Sequence, residues 1–108
     1  MSVYNKVVRD RVPEMILMSG KTYTSKKLGR AEYIQELAKI GMEEMREFAS
    51  MQDREHALDS LADALEVIKA LAAAEGISIE EIERIRKEKE IERGGFEKGI
   101  YLVEVNEE

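Results

Sequence analysis

The sequence predicts an all-α chain of 108 residues, and three observations carry that expectation. Apolar residues recur at steps of three and four over long stretches, the repeat of a helix face. Capping residues stand at the starts of those stretches, with Asp53 before one and Ser78-Ile79-Glu80-Glu81 opening another, and their side chains satisfy backbone N–H groups that a helix leaves unpaired. Glycines (Gly20, Gly76, Gly94 and Gly95) follow the ends, where a backbone without Cβ turns cheaply. The expected architecture is an antiparallel helix bundle in a single domain, 1–108, completed by oligomerisation, with short extended or β segments at the termini.

Val3–Val8 is a short lead containing apolar residues. Asp10 is placed to cap a short helix running to about Ser19, with Pro13 in the first turn, where its missing N–H costs nothing. Lys21–Leu28 mixes Thr and Tyr with lysines and reads as an extended connector or edge strand. A long helix follows from about Arg30 to Met51, with Ile34, Leu37, Gly41 and Phe48 on one face. The next helix starts after Asp53 and ends before Gly76. Its second half is apolar nearly all round, from Leu61 to Ala74, as expected of a helix covered on several sides and shared with another subunit. The last helix opens at Ser78, carries Ile79, Ile82 and Ile85 as an inner stripe, and stops at Gly94-Gly95. The tail Gly99–Val105 has the composition to pair as a strand with an N-terminal segment.

Composition narrows the chemistry. There is no Cys, which removes disulfides and thiolate metal sites. One His, His56, leaves no basis for a histidine-rich metal site or a serine–histidine triad. No apolar run has the length of a membrane span, and no apolar signal core opens the chain, so the expected protein is soluble and cytoplasmic. The formal net charge is -6, which argues against a nucleic-acid polymer as partner. The charge is uneven: residues 1–30 hold seven Lys/Arg against two acids, and residues 31–108 hold ten against twenty-one. A basic arm beside an acidic helical body suits a small anionic ligand held through metal ions.

The most informative residue is Glu44, which takes the position on the apolar row Ile34, Leu37, Gly41, Phe48 where an apolar side chain is expected. Glu47 lies one turn on, and Glu43 is its i,i+4 neighbour, so the three point roughly the same way although like charges at that spacing repel. The next helix adds Asp63, on a row with Val67, Ala70 and Ala74. Carboxylates on packed faces are costly unless paired, hydrogen-bonded or bound to a metal. Mg²⁺ takes oxygen ligands from a few carboxylates together with phosphates and water, and Mn²⁺ shares that preference. Lone acids at such places more often line a solvated edge or pair with Lys and Arg. Three on consecutive helices favour the metal.

In sequence order these residues read Glu43-Glu44-Met45-Arg46-Glu47, twelve residues, then Ser60-Leu61-Ala62-Asp63. This resembles the Glu-Glu-x-x-Glu, spacer, Glu-x-x-Asp pattern of the all-α nucleoside triphosphate pyrophosphatases, which include MazG-like proteins and phosphoribosyl-ATP pyrophosphohydrolase. Both ends resemble one MazG-like subgroup, through Tyr4-Asn5-Lys6-Val7-Val8-Arg9-Asp10-Arg11-Val12-Pro13 and through Arg86-Lys87-Glu88-Lys89 with Arg93-Gly94-Gly95-Phe96-Glu97-Lys98-Gly99-Ile100. The resemblance implies helical oligomers that build four-helix bundles around the site. It also implies Mg²⁺-dependent hydrolysis of a nucleotide, including non-standard ones, to the monophosphate and pyrophosphate. Glu44, Glu47 and Asp63 would be metal ligands, and Glu43 a further ligand, a water-orienting group or a structural acid. Lys6, Arg9, Lys89 and Arg93 are the candidates for phosphate contact. Phe96 would stack on a base or plug the core. The pattern departs at Ser60, where the family carries Glu. Asp59 and Glu66 are the acids nearest that gap, and Asp59 is the candidate extra ligand. A nucleotide-binding or regulatory helical module with a weakened metal site is the alternative that Ser60 keeps open.

Overall fold

The fold was analysed in a computed structural model that describes residues 2–50 and 53–106. The described residues form four helices and no strand: α1 Val12–Met18, α2 Arg30–Ser50, α3 Arg54–Ala74 and α4 Ile79–Arg93. The chain divides into two compact units, Met1–Gly76 and Ile77–Glu108. None of the described helices is long and apolar enough to cross a membrane.

In the first unit, α2 and α3 pack as an antiparallel pair. Arg30 at the start of α2 donates from Nε to the Ala74 carbonyl at 3.3 Å and pairs with Glu75 at 2.8 Å, which ties the beginning of one helix to the end of the other. The buried residues are Leu37 on α2 and Ser60, Ala64, Val67 and Ala72 on α3. The steps of four and three from Ser60 through Ala64 to Val67 identify the face turned to α2. Gly41 sets how closely the helices approach: a Cβ there would stand 3.2 Å from Val67 Cγ1. The small residues Gly41 and Ala64 bring the two backbones near each other, and Val67 fills the space that remains.

The inner row of α2 holds through Leu37, Gly41 and the half-buried Glu44, but Phe48 is 42% exposed. The apolar second half of α3 is covered only on its α2 side. Leu61, Leu65 and Ile68 stay exposed within the single chain. Met51, expected at the end of α2, lies outside the described residues.

The N-terminal part differs from expectation in one cap. Asp10 does not cap α1. Arg11 holds that position with helical dihedrals and makes no side-chain capping bond. The chain has therefore already entered a turn at Arg11, and the acid contributed to the first turn is Glu14. Residues 21–29 run without regular structure, a connector and not an edge strand.

In the second unit, Ser78 accepts from the Glu81 N–H at 3.1 Å, and its hydroxyl donates to the Glu81 carboxylate at 3.3 Å. The helix ends at Gly94, whose φ of +86° suits a residue without Cβ. The expected inner stripe stays open: no residue of α4 is buried, and Ile79 and Ile85 are each about two-fifths exposed. Side-chain pairs within the helix support it instead, including Arg86 with Glu83 at 2.6 Å and with Glu90 at 3.1 Å. The segment 99–105, a candidate strand, has no regular structure, and Ile100, Tyr101, Leu102, Val103 and Val105 are exposed.

Candidate functional site

The acids meet at the end of the α2–α3 pair nearest the connection between the helices. Glu44 follows Gly41 by three residues on α2, and Ser60 and Asp63 lie in the early turns of α3. The Gly41–Val67 contact holds the pair together one turn away, so α2 cannot roll Glu44 outward without losing packing.

Glu44 is half-buried, and its carboxyl is pushed above the ordinary range. Burial is the main cause, followed by repulsion from Asp63 and then from Glu47. The Ser60 hydroxyl opposes this by hydrogen bonding to the charged form, and Glu43 adds a smaller repulsion. Four acids on two helices therefore act on one another electrostatically. Asp63 is half-buried, whereas Glu43, Glu47, Asp59 and Glu66 are exposed.

The cations of the N-terminal arm reach the same place. Arg9 donates from Nη2 to Asp63 Oδ1, and Lys6 pairs with Glu43 at 3.3 Å. Both pairs join residues far apart in sequence, and all four side chains are between two-fifths and three-fifths exposed. Sequence reasoning named these four residues but as separate groups, cations for phosphate and acids for metal. It had no signal that would match one with the other.

Ser60 is only 5% exposed. The position where the family motif carries Glu is thus in the packed seam between the helices, where its hydroxyl works to lower the Glu44 pKa. Asp59 faces away from the seam, being exposed, and acts on His56. The turn into α3 carries its own acid–histidine pair. Asp53 accepts from the His56 N–H at 3.0 Å and lies 2.7 Å from its ring Nδ1.

The donor set suits a hard divalent cation in chemistry, because it is made of carboxylate oxygens whose mutual repulsion a cation would relieve. It is not assembled as a cage: among the described residues no three acidic or histidine side chains converge as metal ligands, and the acids point partly to Lys6 and Arg9. Holding a metal therefore requires side-chain rotation at Asp63 and Glu43.

Lys89 and Arg93 lie on α4 and Phe96 in the turn after it, all exposed, with Phe96 at 97%. They belong to the second unit. In the first unit, an apolar groove of about 410 Å³ runs along the α2–α3 seam, lined by Gly41, Met42, Met45, Val67, Ile68 and Leu71 among others. No protein-family model, curated protein or solved structure matches this chain.

Proposed function

We propose that this protein is a Mg²⁺-dependent nucleoside triphosphate pyrophosphohydrolase that converts a nucleotide, including non-standard ones, to its monophosphate and pyrophosphate. The observation that carries the reading is Glu44, a half-buried carboxyl made harder to ionise by burial and by Asp63 and Glu47. A stably folded chain has little reason to hold three acids against that repulsion unless a cation offsets it.

Glu44, Glu47 and Asp63 would hold the ion, with Asp59 and Glu43 as the nearest further acids. When bound, Mg²⁺ supplies charge neutralisation on phosphate oxygens and lowers the pKa of a coordinated water. The protein's own groups do the rest by position and charge. Lys6 and Arg9 lie close enough to the acids to reach phosphate oxygens of a ligand seated there. Glu43, exposed beside Glu47, is placed to orient the water that attacks the α-phosphorus as pyrophosphate leaves. Catalysis of this kind rests on alignment and electrostatic stabilisation.

Two further parts of the proposal rest on other features. The apolar groove and the exposed Leu61, Leu65 and Ile68 support a homodimer or higher homo-oligomer, since patches of this kind mark association surfaces. The absence of any Cys is in keeping with a cytoplasmic protein.

A second reading, a nucleotide-binding or regulatory module, is favoured by Ser60. A neutral hydroxyl sealed in the seam cannot replace a carboxylate ligand. One assay separates the two. The protein is incubated with a panel of nucleoside triphosphates and Mg²⁺, and pyrophosphate release and thermal shift are both measured. Release of pyrophosphate is the expected outcome. A thermal shift without release would establish the binding module, and neither signal would remove nucleotides from consideration.

A further inference from the structure

The tail after α4 is an open strand template. Gly99, at φ +61°, takes the chain out of a turn that its own N–H closes on the Phe96 carbonyl at 3.0 Å. Ile100-Tyr101-Leu102-Val103-Glu104-Val105 follows, rich in β-branched and aromatic residues and free of Pro and Gly, as strands are. Its apolar side chains fall on both faces of an extended chain and are all exposed, with Tyr101 at 89% and Val103 at 83%. Among the described residues, no backbone group of 100–106 hydrogen-bonds to another backbone group. Unpaired backbone beside exposed apolar side chains recruits a further strand. The N-terminal segment does not offer one. Asn5 stands at φ +44°, which interrupts an extended chain, and Lys6 is already paired with Glu43.

We propose that the tail pairs antiparallel with the tail of a second copy, Tyr101 opposite Tyr101 across a two-fold axis. The segment is complementary to itself in this register. Ile100 falls opposite Leu102, Gly99 opposite Val103 and, at each end, Lys98 opposite Glu104. Opposed side chains in such a pair stand about 4.5–5.5 Å apart at Cβ, where opposite charges attract and like charges repel. Sliding the strands by two residues one way sets Glu104 opposite Ile100, and the other way sets Lys98 opposite Leu102. A parallel in-register pair sets Lys98 beside Lys98 and Glu104 beside Glu104. Charge therefore selects the partner, the orientation and the register, and both copies contribute the same residues. The contact lies within the second unit and depends neither on a metal nor on the α2–α3 groove. A two-stranded ribbon is marginal by itself, so this one adds to another contact between copies or forms at high protein concentration.

The chain has no Cys, so single cysteines report the register directly. In the proposed pair the two Tyr101 positions are opposite each other, within the roughly 4.4–6.8 Å Cα separation that a disulfide spans. The two Val103 positions are displaced along the strands by about 13 Å. Full-length Tyr101→Cys, Val103→Cys and, as a control for chance collision, Ser25→Cys in the exposed connector are oxidised side by side. Tyr101→Cys should form a covalent dimer about tenfold faster than either of the others. Adding Glu104→Lys to Tyr101→Cys should slow the dimer about fivefold, and adding Lys98→Glu as well should restore it. Every substituted residue is exposed, and unchanged far-UV circular dichroism would confirm that the helices persist. Tyr101→Cys no faster than Ser25→Cys would overturn the pairing, even where sedimentation shows a dimer, because the copies then meet elsewhere. Equal cross-linking at Tyr101→Cys and Val103→Cys would overturn the antiparallel register, and a charge exchange that fails to rescue would remove the Lys98–Glu104 contact that selects it.

Discussion

The two ends of the α2–α3 pair are built on opposite principles although they share the same two helices. Toward the end away from the connection, Leu37, Gly41, Ala64 and Val67 are small or apolar and close together, and a Cβ at Gly41 would stand 3.2 Å from Val67. One turn along, the same faces carry Glu44, Ser60 and Asp63, and the carboxyl of Glu44 is held in surroundings that resist its charge. The first region contributes stability, and the second spends some of it. The difference teaches that the packed seam does more than hold the helices: it fixes the distance at which the acids must face one another.

Glu47→Ala should give the largest effect, at the acidic end alone. Glu47 is exposed, so the helices should stay intact by circular dichroism. Pyrophosphate release should fall more than roughly a hundredfold, given that even groups supporting a metal ligand are worth ten- to a hundredfold. Wild-type release from this variant would remove the acids from the chemistry.

The packed end can be attacked next, through Gly41→Leu. A Cβ already meets Val67 at 3.2 Å, and a full Leu must push the helices apart at a cost of about 1–3 kcal/mol. The melting temperature should drop by roughly 4–8 °C per kcal/mol for a chain of this size, and Mg²⁺ affinity should fall with it as Glu44 and Asp63 separate. Gly41→Ala is the milder probe. It gains about 1 kcal/mol of helix propensity against the same contact. Unchanged metal affinity in a destabilised Gly41→Leu variant would show that the two ends are independent.

The helices were legible in the sequence because their signals are local: Asp53, Ser78 with Glu81, and Gly76 each act within a turn. The acids were legible because Glu44 interrupts a period. Where the signal was not local, the sequence misled or was silent. Asp10 has the right chemistry for a cap, but the N-cap position falls one residue later, at Arg11. Phe48 keeps the period of α2 yet stays 42% exposed. The pairing of Arg9 with Asp63 joins a segment without period to a helix 54 residues away, and no pattern within either segment encodes that choice. Ser60 read as a missing ligand. Its burial in the seam explains why a small neutral group fits there, since an ionised Glu would be one more acid beside Glu44.

The cost carried by the acidic end can be measured through Glu44→Gln. Because folding raises the Glu44 pKa, the ionised form is the less favourable one in the folded chain. Stability is complete below the ordinary carboxylate range, where Glu44 is protonated folded and unfolded alike. It is lost as the pH rises through the raised folded value. Thermal melts of wild type and Glu44→Gln without divalent ions should coincide in acid, and at pH 7 the variant should melt roughly 2–5 °C higher. Mg²⁺ should close the gap by stabilising the wild type alone. A variant less stable than wild type at pH 7 would mean that Glu44 is a structural hydrogen-bonding group, and the contrast between the two ends would dissolve.

The smallest effect belongs to the turn into α3, where an acid is satisfied locally. Asp53 is held below its ordinary pKa first by the His56 N–H and then by the His56 ring, and His56 is held above its ordinary value first by its hydrogen bond with Asp53. The signs define a window. The Asp53 contribution is present above the usual carboxylate range and is lost as the pH falls through its lowered value. The His56 contribution is present below about pH 6.5, the imidazole reference, and is lost as the pH rises through its raised value. His56→Ala keeps the backbone cap and removes only the ring, so its melting temperature should lie below that of wild type between about pH 4 and 6.5 and approach it at higher pH. Salt should narrow the difference, because both side chains are more than half exposed. Asp59 and Glu47 also support the charged imidazole, so part of the effect should disappear when Mg²⁺ binds at Glu47. A His56 effect that ignores Mg²⁺ would place Glu47 outside the metal site, whereas one that weakens on Mg²⁺ addition would tie the turn to the acidic end of the pair.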